Sequence, residues 1–147
     1  MNTLSLDTAL AIAQRTLAEG RTRGFAPLTA AVLDAGGHVV ALLRADGSSL
    51  LRPQIATGKA WGALGLGFGG RELAQRAAQM PAFFNALSDL SGGNMVPVPG
   101  GVLIRDASGA LLGAIGVSGD TSDNDEVCAV EAVRAAGLLA DTGAADA

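Results

Sequence analysis

Apolar positions in this chain fall in short blocks whose period switches between helical and extended, and the switches coincide with glycines, prolines and acidic clusters. Ser5 is placed to cap a first helix in which Leu6, Leu10, Ala13 and Leu17 recur at helical spacing, with Gly20 or Gly24 ending it. Leu28–Asp34 and His38–Arg44 are near-continuous apolar runs separated by Ala35-Gly36-Gly37, which predicts a hairpin covered on both faces. A polar loop, Ala45 to Ser49, leads to a helix from about Pro53 to Leu66. Gly65 to Gly70, GLGFGG, is too glycine-rich to continue a helix and predicts a hinge or tight loop.

Two short helices follow, Arg71–Gln79 and Pro81–Leu90, the second with Phe83, Phe84, Leu87 and Leu90 on its apolar face. Met95–Val98 is expected as a short edge strand, the one place where Pro97 and Pro99 are tolerated. Val102–Asp106 and Ala110–Ser118 flank Ala107-Ser108-Gly109 and predict a second hairpin. Beyond Gly119 the acidic run to Glu126 opens a last helix, from about Ser122 to Ala140, with Ser122 as N-cap. It carries Val127, Val130, Val133 and Gly137 on one stripe and Cys128, Ala129, Ala132 and Ala136 beside it. The order of elements predicts a mainly antiparallel sheet with helices over it, an α+β domain.

At 147 residues the chain suits one domain, 1–147. Hydrophobic residues make up 49% and charged residues 16%, leaving little polar surface for a monomer, so a homo-oligomer is expected. No apolar run reaches the length of a membrane helix. The start follows a helical period without a basic, signal-like region, so a cytoplasmic protein is expected. A net charge of −4 and 3% aromatics give no footprint for nucleic acid, which leaves small molecules and further copies of the chain as partners. The single cysteine excludes a disulfide or a cysteine-based zinc site within one chain.

Several motifs together resemble the GlcG/HbpS-like haem-binding family, which also supplies the C-terminal domain of PduO-type proteins. They are Asp34-Ala-Gly-Gly-His38-Val-Val-Ala, Arg44 with Asp46-Gly47, Gly58-Lys59-Ala60, Pro99-Gly100-Gly101-Val102, Gly113 to Gly119, and Asp125-Glu126-Val-Cys128-Ala129. The resemblance covers nearly the whole chain. It implies a profilin-like fold of about five antiparallel strands flanked by helices, and assembly into dimers or larger rings. It also implies haem or a related tetrapyrrole as a candidate ligand, whereas other members are associated with glycolate or diol metabolism without an assigned reaction.

His38 is the single imidazole and so the first candidate for haem iron, but its place after Gly36-Gly37 fits a solvated turn residue as well. Met95, Cys128, Thr57 and Ser118 are the remaining donors, and a site built on them would be held mainly by apolar burial. Lys59, the only lysine among ten basic residues, is either an anchor for a carboxylate or a surface lysine beside Trp61. Asp125 and Glu126 fit acid/base work or helix capping, and the spacing of Asp120, Asp123 and Asp125 is not that of a calcium loop. The letters of Gly65–Gly70 match a dinucleotide fingerprint, yet the preceding segment reads helical where that motif needs a strand.

The leading expectation is an anionic small molecule, with haem the implied cofactor, bound beside the 91–101 loop. Phe83, Phe84, Met95 and Val96 would supply apolar burial, and Arg44, Lys59 and the Gly100 and Gly101 amides would meet carboxylates, near Ser118 and Glu126. The alternatives are an enzyme acting on a small hydroxy- or oxo-acid, with Lys59, Asp125 and Glu126 in its site, and a structural accessory subunit.

Overall fold

A computed structural model describes residues 3–144. The first helix, α1 (Leu6–Arg23), starts where Ser5 Oγ accepts the Thr8 N–H at 3.1 Å, and ends where Gly24 turns to φ 73°. The side it buries is Ala9, Ile12, Ala13, Thr16 and Gly20, whereas Leu6 is exposed. Of the predicted stripe, Ala13 is fully buried and Leu17 packs against the core, whereas Leu10 is half-buried. The closest contacts are made by small residues, and a Cβ on Gly20 would stand 2.6 Å from Leu28 Cδ1.

Strands β1 (Thr29–Asp34) and β2 (Val39–Arg44) form the expected hairpin, but only β1 is covered on both faces, since β2 is an edge strand with Val39 and Leu42 exposed; β3 (Gly101–Arg105) and β4 (Leu111–Ser118) form the other. Between the hairpins come α2 (Arg52–Leu66), α3 (Gly70–Gln79) and α4 (Pro81–Leu90); α5 (Ser122–Ala135) and β5 (Leu139–Asp141) complete the described chain. The sheet runs β2-β1-β4-β3-β5 with every pairing antiparallel.

Three further expectations are corrected. Met95–Val98 is not a strand: Pro97 and Pro99 have no N–H to offer a ladder, and the Val96 N–H donates instead to the Gly58 carbonyl of α2 at 3.1 Å. The last helix stops at Ala135, and Gly137 at φ 78° turns the chain so that Leu139–Asp141 pairs with β3 as the fifth strand. Its N-cap is Thr121, whose Oγ1 accepts the Asn124 N–H at 3.2 Å, and Ser122 is the first helical residue.

Alternation along the strands divides the core in two. Ala30, Val32, Val102, Ile104, Ile115 and Val117 face α1 and α5, joined by Ile12, Cys128, Ala129 and Val133. Ala31, Leu33, Leu103 and Ala114 face α2, which meets them with Ala56, Ala60 and Ala63. On that second face the approach is backbone to backbone. A Cβ on Gly116 would overlap the Ala56 carbonyl, and one on Gly101 would overlap the Lys59 carbonyl. The glycines of GLGFGG serve the same end at Gly69 and Gly70, where side chains would strike Thr142 and Val98 and where the Arg71 N–H donates to the Thr142 carbonyl. No described helix is long and apolar enough to cross a membrane.

Candidate functional site

The loop from Ser91 to Gly100 lies over α2 and α4 and leaves a hollow on either side. On the α2 side a cavity of about 560 Å³ is walled by Leu42 of β2, Pro53, Thr57 and Trp61 of α2, and Gly93 and Asn94 of the loop. Helical spacing explains its floor, because residues 53, 57 and 61 are successive i, i+4 neighbours on one face of α2. The hairpin turn of β1 and β2 borders it: a Cβ on Gly37 would sit 3.5 Å from the Trp61 indole. On the α4 side a smaller hollow of about 270 Å³ is lined by Phe84, Asn85, Met95 and Pro97. A third, of about 420 Å³, lies between α1 and the end of β2, with Arg21, Phe25, Arg44 and Asp46.

The expected site residues are distributed among these places rather than gathered in one. Met95 and Phe84 line the smaller hollow, and Phe83 is exposed with its ring edge-on to Phe84 at 5.9 Å. Arg44 belongs to the third hollow and donates to the Ser48 carbonyl. His38 stands exposed on the hairpin turn, its Nδ1 3.2 Å from Asp34 Oδ1. Among the described residues no cluster of three or more His, Cys, Asp or Glu is arranged to hold a metal ion.

Lys59 and Asp125 come together, and away from solvent. Lys59 is 2% exposed, and its Nζ donates to the Val117 carbonyl at 2.8 Å and to Asp125 Oδ2 at 3.1 Å. The other carboxylate oxygen accepts the Asp120 N–H at 2.9 Å. Burial opposes charge on both partners, drawing the Lys59 pKa down and the Asp125 pKa up, while each partner's charge works against the shift in the other. Gly100, at φ +108°, makes room for the ammonium: a Cβ there would stand 2.9 Å from Nζ. Glu126 pairs instead with Arg71, whose Nε reaches both carboxylate oxygens at 3.1 Å, and whose Nη2 also reaches Asp123 at 2.6 Å. Burial raises the Glu126 pKa against the pull of that guanidinium.

Ser118 is buried and accepts from Arg52 Nη1 at 2.9 Å. Cys128 is buried on the opposite face of the sheet, where burial pushes its thiol pKa up to about 11 and keeps it protonated at neutral pH. Arg52, Leu42 and the placement of Trp61 in the wall of the hollow are what sequence reasoning missed. The signal for Trp61 was present in its spacing from Pro53 and Thr57; nothing in the spacing of Arg52 or Leu42 pointed to their partners.

No functionally curated protein matches the chain. Solved structures do. A PduOC:haem complex aligns with a TM-score of 0.82 over 97% of this chain and 100% of that one, at 23% identity. A doubly substituted HbpS from Streptomyces reticuli aligns at 0.78 over 92% and 87%, with 30% identity. The Klebsiella pneumoniae protein ORFY aligns at 0.78 over 92% and 93%, with 26% identity. The family model described as haem degrading protein HbpS-like matches residues 4–134. With that match spanning both hairpins and all five helices, the chain belongs to the HbpS-like family.

Proposed function

We propose that this protein binds haem or a related planar tetrapyrrole in the hollow between Trp61 and the 91–100 loop. The observation that carries the reading is the hollow itself, about 560 Å³, with an apolar wall of Leu42, Pro53 and Trp61 and hydroxyl and amide groups of Thr57, Gln54 and Asn94 at its rim. Family membership and the haem complex of the PduOC neighbour favour this ligand class over other flat apolar molecules.

The residues suit the macrocycle better than its iron. Iron in haem proteins is held by His, Cys, Met or Tyr, and none of these lines the hollow. Thr57 is the hydroxyl facing that space, Met95 faces the neighbouring hollow, and His38 stands beyond the hairpin turn. The ring would thus be held by burial and by contact with the Trp61 indole, and Thr57 would supply a weak oxygen donor. Bound haem would bring an iron centre for redox chemistry; the chain's own part is to bind and orient the ring and to exclude water from one side.

The same reading keeps the protein a cytoplasmic homo-oligomer. Val39 and Leu42 are exposed on β2, an unpaired sheet edge, and Leu50 and Leu51 are exposed just beyond it. A second copy on that edge would also cover the mouth of the hollow.

Titration with haem, followed in the visible spectrum, tests the proposal. A saturable Soret shift at micromolar protein is expected, weakened at least about tenfold by Leu42→Asp, which puts a charge in the wall. Thr57→Val should alter the iron spectrum while leaving affinity nearly unchanged. No Soret shift, or full affinity in Leu42→Asp, would overturn it.

A further inference from the structure

The sheet end beside the hollow carries a row of polar side chains. Thr29 and Ser118 are direct partners across β1 and β4, so both leave the sheet on the face that α2 covers, where Ser118 meets Arg52. Leu42, part of the hollow's wall, pairs with Ala31, two residues from Thr29 on that face, and Pro53 and Gln54, also in the lining, follow Arg52 directly.

Two features of the row are unexplained by the fold. Thr29 is fully buried and its Oγ1 has no hydrogen-bond partner, an arrangement that costs free energy unless something supplies one. Arg52 spends one N–H on Ser118 and has no carboxylate within ion-pair distance among the described residues. Its charge opposes protonation of the buried Lys59 nearby. The start of α2 also lacks a side-chain acceptor, with Leu51 at the N-cap.

We propose that Arg52, with Ser118 and Thr29 beneath it, is the subsite for an acidic arm of the ligand, so that the ligand class is an apolar planar body bearing a carboxylate. The inference rests on the proposed function and deepens it. A carboxylate offers the fork of two oxygens that a guanidinium pairs with best. As Arg52 turns from Ser118 to the arm, the Ser118 side chain is freed to rotate toward its cross-strand neighbour Thr29, a pairing that adjacent hydroxyl residues on antiparallel strands make. Binding thereby supplies Arg52 with a counter-charge and Thr29 with a partner together.

The test compares haem with haem dimethyl ester, which keeps the ring and loses both acids, on the wild-type protein and on Arg52→Gln. The wild type should prefer the diacid by about tenfold or more, and Arg52→Gln should lose that preference while binding the diester as the wild type does. Equal affinities in the wild type, or an undiminished preference in Arg52→Gln, would overturn the subsite and leave the haem reading standing. If neither porphyrin binds, the haem reading falls and a second pair decides the subsite, 2-naphthoate against 2-naphthylmethanol by thermal midpoint. A larger rise with the acid, abolished in Arg52→Gln, supports the subsite; equal rises overturn it.

Discussion

Lys59 and Asp125 belong to helices on opposite faces of the sheet, and their charged groups nevertheless meet at 3.1 Å, past the end of β4 where Gly100 has no side chain. The pair ties α2, β4 and α5 together, because the ammonium also takes the Val117 carbonyl and the carboxylate also takes the Asp120 N–H.

The worth of that tie depends on both partners being present. Two charges out of water are expensive, and removing one leaves the other uncompensated at a cost of about 3–5 kcal/mol, whereas removing both is far cheaper. Lys59→Met and Asp125→Asn should therefore each lower stability by about that amount, and the double variant should recover at least half of the sum. Denaturant unfolding of the four proteins measures the coupling. Additive losses would mean that the pair is two independent polar contacts.

Glycines in this fold separate into those under contact and those in open space. Gly116→Ala should cost more than about 3 kcal/mol or abolish folding, since the new methyl would overlap the Ala56 carbonyl and neither backbone can move alone. Gly65→Ala, in α2 with nothing within 4 Å of the new atom, should raise stability by about 1 kcal/mol through helix propensity. Thermal midpoints of the two variants check both signs.

Cys128 sets an alkaline limit. Its folded pKa, about 11, lies above the value of 9.0 expected once unfolded. The unfolded thiol therefore gives up its proton first as pH rises, and the native state loses stability from about pH 9, fully so above 11. Two pH units correspond to about 2–3 kcal/mol. Cys128→Ala should flatten the fall in stability between pH 9 and 11 relative to wild type, even though it packs less well. A thiol reagent at neutral pH should label the native wild type slowly and the unfolded chain at once.

Much of the architecture was legible because it is local. Glycine between two apolar runs announced both hairpins, and Ser5 and Pro81 marked helix starts that the structure keeps. The fifth strand was misplaced for a physical reason: Leu139–Asp141 is three residues long and means nothing until β3 is beside it, whereas Met95–Val98 has strand-like side chains but lacks the N–H groups a ladder needs. The glycines also hid which helix faces are buried. Where backbones touch, the contact face is Ala and Gly, so the leucines that dominate the pattern of α1 are not its closest contacts. The site was less legible still, for Lys59 and Asp125 lie 66 residues apart, and so do Arg52 and Ser118. Lys59 stands out in the sequence for its rarity, but its partner needed the fold.

The central claim, that haem or a tetrapyrrole occupies the hollow at Trp61, is tested most directly by amide and indole N–H spectra of the labelled protein with ferric haem and, as the diamagnetic control, zinc protoporphyrin. Trp61 is the only tryptophan, so its indole signal assigns itself. The account predicts that iron broadens that signal together with the amides of Leu42, Thr57, Gly93 and Asn94, and leaves those of the α1 and α5 face sharp. Broadening centred on Cys128 and its neighbours, or none beyond the zinc control, would contradict it.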